Sequence, residues 1–365
     1  MTFGIIASLL LFFGSIFSGL LSEEISNTPL PAQPAATTTA QFPTAPVATT
    51  STIKSSPAPI AQKPVAPPVP APVTTPPVAQ PLKSQEQINE ETRSALVNIL
   101  CLPRTGINGI SGSGIIIDNR GVILTNAHIA QYFLLRNYLT PDNITCTVRV
   151  GSPAQERYTA TLLYTPPAWV AANAAQLKAV QATGTGENDY AFLFITGRTD
   201  PAASLPATFS RMEMNRGLVG LGEEMLLASY PAGFLGSQTV QKNLYASSAV
   251  TYVTQLFSFG GNNNVELFSI GGTILSQGGS SGGAAVRLSD GKLAGIITTS
   301  TAGATTDARD LRAVSLAHID DTLIAAGKGG IVGLLSGDLA AKAADFNTKI
   351  APGLTAQLEA VLSGN

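Results

Sequence analysis

Two histidines, His128 and His318, are all that a chain of 365 residues offers for general-base chemistry. A serine hydroxyl is a weak nucleophile until an imidazole takes its proton. The imidazole in turn needs a carboxylate to fix its tautomer and stabilise its charged form. Three short segments hold such groups: His128 ends "GVILTNAH", Asp189 opens "NDYAFLFI", and Ser281 lies inside "GGSSGGAAV". Singly, each has a plain structural reading: a surface histidine at a strand end, a turn aspartate, a loose glycine loop. Together, in the order His, Asp, Ser, they supply every group a hydrolytic triad requires. No set of neighbouring ligands suggests a metal, and no cofactor is expected.

The elements around these residues read as short strands. Ser276–Val286, "SQGGSSGGAAV", has the composition of a flexible linker, yet it runs straight into "VRLSDGKLAGIITTS". That pattern is strand, Asp-Gly turn, strand. "GSGIIIDNRGVILTNAHI" likewise reads as a strand over 115–117, a turn at 118–121 and a strand over 122–124. Further strands are expected at 95–102, 146–150, 158–164, 190–195, 223–231, 265–273, 282–288 and 292–300, separated by Gly, Pro, Asn or Asp. Such spacing indicates an all-β barrel or sandwich. Helices are expected at 84–93, at 168–182 and over the Ala-rich end of the chain after Arg312. Cys101 and Cys146 fall in different strands, and in an exported protein they are expected to pair as a disulfide.

The composition argues against nucleic acid as a partner: charged residues make up 12% and the net charge is −2, with no basic face. Phe3–Leu21 contains no charged residue. At about 1.5 Å per residue it reaches roughly 28 Å, close to the ~30 Å bilayer core. An uncleaved transmembrane anchor is favoured over a cleaved signal, because no Lys or Arg precedes the run and no A-x-A-like site follows it. Either way the rest of the chain is exported, to a periplasm or cell surface. Residues 27–82 hold more than half of the 24 prolines and read as a disordered, polyproline-biased tether. The expected domains are an anchor or signal at 1–22, a Pro/Ala/Thr-rich linker at 23–84, a catalytic domain at 85–325 and a helical extension at 326–365.

The motifs carry a resemblance. "SGSGIIIDNRGVILTNAHI" resembles the histidine-bearing hairpin of chymotrypsin- and trypsin-like serine proteases, especially the bacterial high-temperature-requirement branch. "NDYAFLFI" is similar to that family's aspartate segment, and "GGSSGGAAV" to its G-x-S-G-G nucleophile loop. The resemblance implies two six-stranded antiparallel β-barrels, without a PDZ domain. It implies Ser281 as nucleophile, His128 as general base then acid, and Asp189 as the orienting carboxylate. The backbone N–H groups of Gly279 and Ser281 would form the oxyanion hole. Thr298, Thr299 and Ser300 would pair with an extended peptide substrate, and Leu275 would floor the side-chain pocket. Tyr190, Phe192 and Ser280 depart from the family pattern, as does the long interval between His128 and Asp189.

The function expected is therefore that of a membrane-tethered, extracytoplasmic serine endopeptidase acting on peptides or proteins. One alternative is a catalytically inactive protease-like binding or scaffold module. Another is an α/β-hydrolase esterase, since residues 279–283 also fit G-x-S-x-G, with His318 and Asp307 or Asp310 completing a triad. That elbow requires a helix directly after the serine, where this sequence continues as strand. His318 is better placed as a packed residue at the start of a helix. Oligomeric state is not encoded in any motif.

Overall fold

The structure is a computed structural model and describes residues 83–178, 184–259 and 264–364. The apolar run Phe3–Leu21 and the Pro-rich stretch lie outside the described residues. Among the described residues, no helix is long and apolar enough to cross a membrane.

Helix α1 (Gln85–Ala95) begins where the polar helix was expected, and its start is chemically specified. Ser84 Oγ accepts the Gln87 N–H while Gln87 Oε1 accepts the Ser84 N–H, a reciprocal capping box. Six strands follow: β1 (Leu96–Pro103), β2 (Ile110–Asp118), β3 (Val122–Thr125), β4 (Ile144–Val150), β5 (Gln155–Tyr164) and β6 (Ala191–Arg198). They close into an antiparallel barrel in the order β1-β2-β3-β6-β5-β4, the first of the two expected barrels. Strand β3 is buried along its whole length, as are Leu96–Cys101 of β1. These strands are covered on both faces, so they read as continuous apolar runs without alternation. Helix α2 (Ala127–Leu134) follows β3 directly, so His128 sits in the first turn of a helix and not at a bare strand end.

The expected 168–182 helix is broken within its described part, and residues 179–182 lie outside the described residues. Helix α3 (Pro167–Asn173) passes into a 3-10 helix over Ala174–Lys178. Pro167 occupies the first helical position, where its missing N–H costs nothing.

The second half comprises β7 (Glu224–Ser229), α4 (Ser237–Lys242), β8 (Ser247–Tyr252), β9 (Gln255–Phe257), β10 (Leu267–Ser269), β11 (Ala284–Arg287), β12 (Leu293–Ser300) and β13 (Leu311–Ser315). Here the expectation of a second six-stranded barrel needs correction. These strands form a seven-stranded sheet in the order β8-β7-β11-β12-β13-β10-β9. Its two edge strands are consecutive in sequence and joined only by Val253 and Thr254, so the sheet curls until its edges nearly meet. Val253 donates to Glu223 O at 3.0 Å and Thr254 to Ser269 O at 2.9 Å, binding the junction to both sides. One bent strand is split in two, which raises the count.

After β13 come α5 (Leu316–Ala325), α6 (Gly330–Leu335), α7 (Leu339–Lys349) and α8 (Ala351–Ser363). Helix α7 packs on β5 and β6. Phe346 stands edge-on to Tyr164 at 5.9 Å, and Asn347 Nδ2 donates to Leu162 O at 2.7 Å. Helix α8 packs against α2, α3 and the 3-10 helix, with Thr355 Oγ1 donating to Leu134 O at 3.0 Å. The tail thus braces the helix that carries His128.

Cys101 and Cys146 stand directly opposite one another in the β1–β4 register and are joined as a disulfide, 45 residues apart. A loop of that length is expected to contribute about 4 kcal/mol, chiefly by restricting the unfolded chain. Reduction should therefore lower the denaturant midpoint markedly and raise the intact mass by two hydrogens. Unchanged mass or an unchanged midpoint would contradict the bridge and its role.

Candidate active site

Strand register brings the first two residues of the triad pattern together. Strands β3 and β6 pair with Thr125 opposite Ala191. Continued by two residues, that register sets Ala127 against Asp189, so His128 arrives one position away. Asn126 Nδ2 fixes the approach by donating to Asp189 O at 2.7 Å. The carboxylate of Asp189 does the rest. Its Oδ1 accepts the His128 backbone N–H at 3.0 Å, standing in for a side-chain cap at the start of α2, where Asn126 supplies none. Its Oδ2 lies 2.8 Å from His128 Nδ1 and accepts the Thr298 hydroxyl at 2.7 Å.

Thr298 was expected only on the substrate strand. Its second role comes from a bulge: in the β12–β13 ladder the register shifts between Ile297 and Thr299. A bulge leaves the extra residue unpaired and re-aims its side chain, here toward Asp189. Asp189 is 5% exposed. Burial pushes its carboxyl upward, but the charge of His128 and the bonds from His128 and Thr298 outweigh burial and hold it below its ordinary 3.8.

Ser281 comes from the other sheet, in the loop before β11. Gly279 and Gly282 have φ of +91° and +82°, the left-handed region that glycine enters without strain. A Cβ on Gly279 would lie 2.5 Å from Tyr230 O, and one on Gly282 would lie 2.0 Å from Ser113 O. The glycine-rich stretch that resembles a linker is therefore a tightly packed turn. Among the described residues, the N–H groups of Gly279 and Ser281 have no internal hydrogen-bond partner. The Ser281 hydroxyl donates to Thr298 O at 3.5 Å. Ser280 is buried and accepts a hydrogen bond from Ser229 at 3.0 Å.

His128, Asp189, Ser281, Thr298, Thr299 and Ser300 all line one cleft of about 1190 Å³. On the β11 side of β12, Ile297 still exchanges hydrogen bonds with Gly282 and Gly283. Beyond it no strand among the described residues pairs with that edge, so residues 298–300 offer main-chain groups to the cleft. Leu275 does not line it. This residue is fully buried in the second hydrophobic cluster with Phe268 and Ile297, and Leu311 and Ile297 stand at the cleft instead. Sequence reasoning also missed Trp169 and Leu177 of the insertion and Leu362 of α8, which form a further wall. The expected helix at 168–182 was the only signal for Trp169 and Leu177, and the helical C-terminal extension the only one for Leu362.

His318 lies elsewhere, third in α5 and 5% exposed. Its Nδ1 is 3.6 Å from Glu266, and burial lowers its pKa against the pull of that carboxylate. Ser281 leads into strand β11 and not into a helix, which removes the nucleophile-elbow alternative. Among the described residues, no His, Cys, Asp and Glu cluster could hold a metal.

A closed antiparallel barrel beside a curled second sheet, with the cleft between them, defines the chymotrypsin type of fold. The profile of the trypsin-like peptidase domain matches residues 112–296, just over half of the chain, and the chain belongs to that family. Among solved structures it is similar to the HtrA-type protease AlgW with a tripeptide, at 17% identity and a TM-score of 0.42 over 67% of this chain and 65% of that one. The chain thus spans just under two thirds of that protein. It is also similar to the active form of the Rv3671c protease from M. tuberculosis, at 16% identity and a TM-score of 0.40, over 69% of this chain and 93% of that chain. No match is found among curated protein sequences.

The lowered pKa of Asp189 has a definite consequence for acid stability. Its ionised form stabilises the fold above about pH 4, and that contribution is lost as pH falls through the depressed value. Asp189→Asn should therefore flatten the loss of stability below pH 4, read from denaturant midpoints at stepped pH. An acid limb as steep as that of the wild type would show that the carboxylate is not the group responsible.

Proposed function

We propose that the protein is a serine endopeptidase in which Ser281, His128 and Asp189 form the catalytic triad. One observation carries the reading: a single cleft holds a buried carboxylate bonded to an imidazole and a serine in a glycine-fixed turn, and among the described residues the N–H groups of that serine and of Gly279 have no internal partner. In this scheme His128 Nε2 takes the Ser281 proton as Oγ attacks the scissile carbonyl carbon. The oxyanion accepts from the N–H groups of Gly279 and Ser281. The imidazolium, stabilised by Asp189, then protonates the leaving amine, and water repeats the sequence on the acyl-enzyme. The Ser281 hydroxyl donates to Thr298 O, and catalytic hydrogen bonds commonly tighten only when substrate binds.

The substrate class is a peptide or protein chain, held in extended form along Thr298, Thr299 and Ser300. The domain division at 85–325 and 326–365 belongs to this proposal. So does a membrane tether through Phe3–Leu21, with the catalytic part outside the cytoplasm. Support for the tether is the length and apolarity of that run and the absence of Lys or Arg before Lys54.

Fluorophosphonate labelling of the full chain tests the reading. The wild type should react stoichiometrically, and Ser281→Ala should not react while keeping its far-UV spectrum and melting behaviour. A folded wild-type chain that resists the probe would favour an inert binding module. Asp189→Asn should slow labelling by about 10⁴-fold, the usual cost of the wrong imidazole tautomer. A loss of less than tenfold would take Asp189 out of its role.

A further inference from the structure

Four consecutive peptide planes run through the oxyanion loop, and each carbonyl has a partner. Gly278 O accepts from Ala232 N–H at 2.7 Å, and Ser280 O accepts from Gly283 N–H at 2.9 Å. In a trans peptide the C=O and N–H point in opposite directions. Those two bonds therefore send the N–H groups of Gly279 and Ser281 away from the loop's own backbone. The two alternate planes donate through Ser280 N–H to Gln277 O at 3.3 Å and through Gly282 N–H to Ile297 O at 2.8 Å, and the carbonyls of both are held by one residue of the opposite barrel. Ser113 N–H donates to Ser281 O at 2.7 Å, and Ser113 Oγ donates to Gly279 O at 2.8 Å. The same hydroxyl accepts the Tyr230 N–H at 2.8 Å, two residues before the Ala232 that holds Gly278. Ser113 is fully buried on β2, and its own carbonyl is held by Thr125 Oγ1 at 2.7 Å.

We propose that Ser113 is a positioning residue that locks the oxyanion loop in its donor-forward conformation. The role rests on the peptidase reading above. Gly279, with φ of +91°, lies between the two planes that carry Gly279 N–H and Gly279 C=O, and its lack of a Cβ removes the usual steric barrier to rotating them. Only hydrogen bonding then decides which way they face. A serine hydroxyl has one donor and two acceptor sites, and here the donor holds the carbonyl of Gly279 while an acceptor site anchors the strand end that holds Gly278. Loss of the hydroxyl would leave a buried N–H and a buried C=O unpaired, and rotation of the Gly279 planes would relieve this by turning a donor away from the cleft.

Saturation labelling by a fluorophosphonate probe separates inactivation rate from probe affinity. For Ser113→Ala the rate should fall about tenfold or more, short of the 10²–10³ seen when an oxyanion donor is removed outright. Probe affinity should change little, because the β12 edge is untouched. Ser113→Thr and Ser113→Val form a matched pair of nearly equal shape, and only Ser113→Thr should retain wild-type rates. If Ser113→Ala does not fold, that pair decides, and amide exchange in the unaltered protein gives an independent reading: the Tyr230 N–H should be strongly protected. Wild-type rates in folded Ser113→Ala, equal rates in Ser113→Thr and Ser113→Val, or rapid exchange at Tyr230 would each overturn the role while leaving the peptidase reading in place. A wild-type chain that does not label at all would overturn the peptidase reading itself, and this role with it.

Discussion

Asp189 carries its carboxylate at 5% exposure, and a charge so far from water persists only where donors and an opposite charge surround it. That requirement organises the neighbourhood. The donors come from three places: the first turn of α2, the imidazole of His128, and the hydroxyl of Thr298 on the other sheet. Satisfying the charge thus ties helix, barrel and second sheet together. The register of β3 against β6 brings the carboxylate to the imidazole, and the bulge in β12 brings it the hydroxyl. Remove either, and the buried charge lacks a partner.

A second constraint operates at the loop before β11, where the chain passes so close to β2 that only hydrogen fits at the α-carbon of residue 282. Close approach makes the inter-sheet hydrogen bonds of Ser113 possible. The glycines are therefore selected by proximity and not by flexibility, which is why a linker-like composition adjoins fully buried strands.

Much of this was legible because the decisive signals are local. The polar helix at 84–93, the turn at 118–121 and the apolar runs of β2, β3 and β6 all show in the residues themselves. So did the grouping of His128, Asp189 and Ser281, through motifs of defined order. What escaped depends on partners far along the chain. Strands β8 and β9, "SSAVTY" and "QLF", are short and bury no residue fully, and pairing with β7 and β10 is what makes them strands. Strand β13 was not among the expected strands, because the helical reading began after Arg312, yet it lies between β12 and β10. Leu275 was placed by counting back from Ser281, and counting cannot tell that its side chain turns into the core. The second role of Thr298 depends on a register shift that no composition encodes.

The cleft also has a temporal meaning. Its imidazole and carboxylate belong to a barrel completed by residue 198, whereas its hydroxyl and backbone donors hang from a sheet whose last strand ends at Ser315. Pairings of such long sequence separation must meet their loop-closure entropy first and are slow to form. If the cleft is the seat of hydrolysis, a chain whose second sheet has not closed lacks both the hydroxyl and the backbone donors, and it gains them only when that sheet forms.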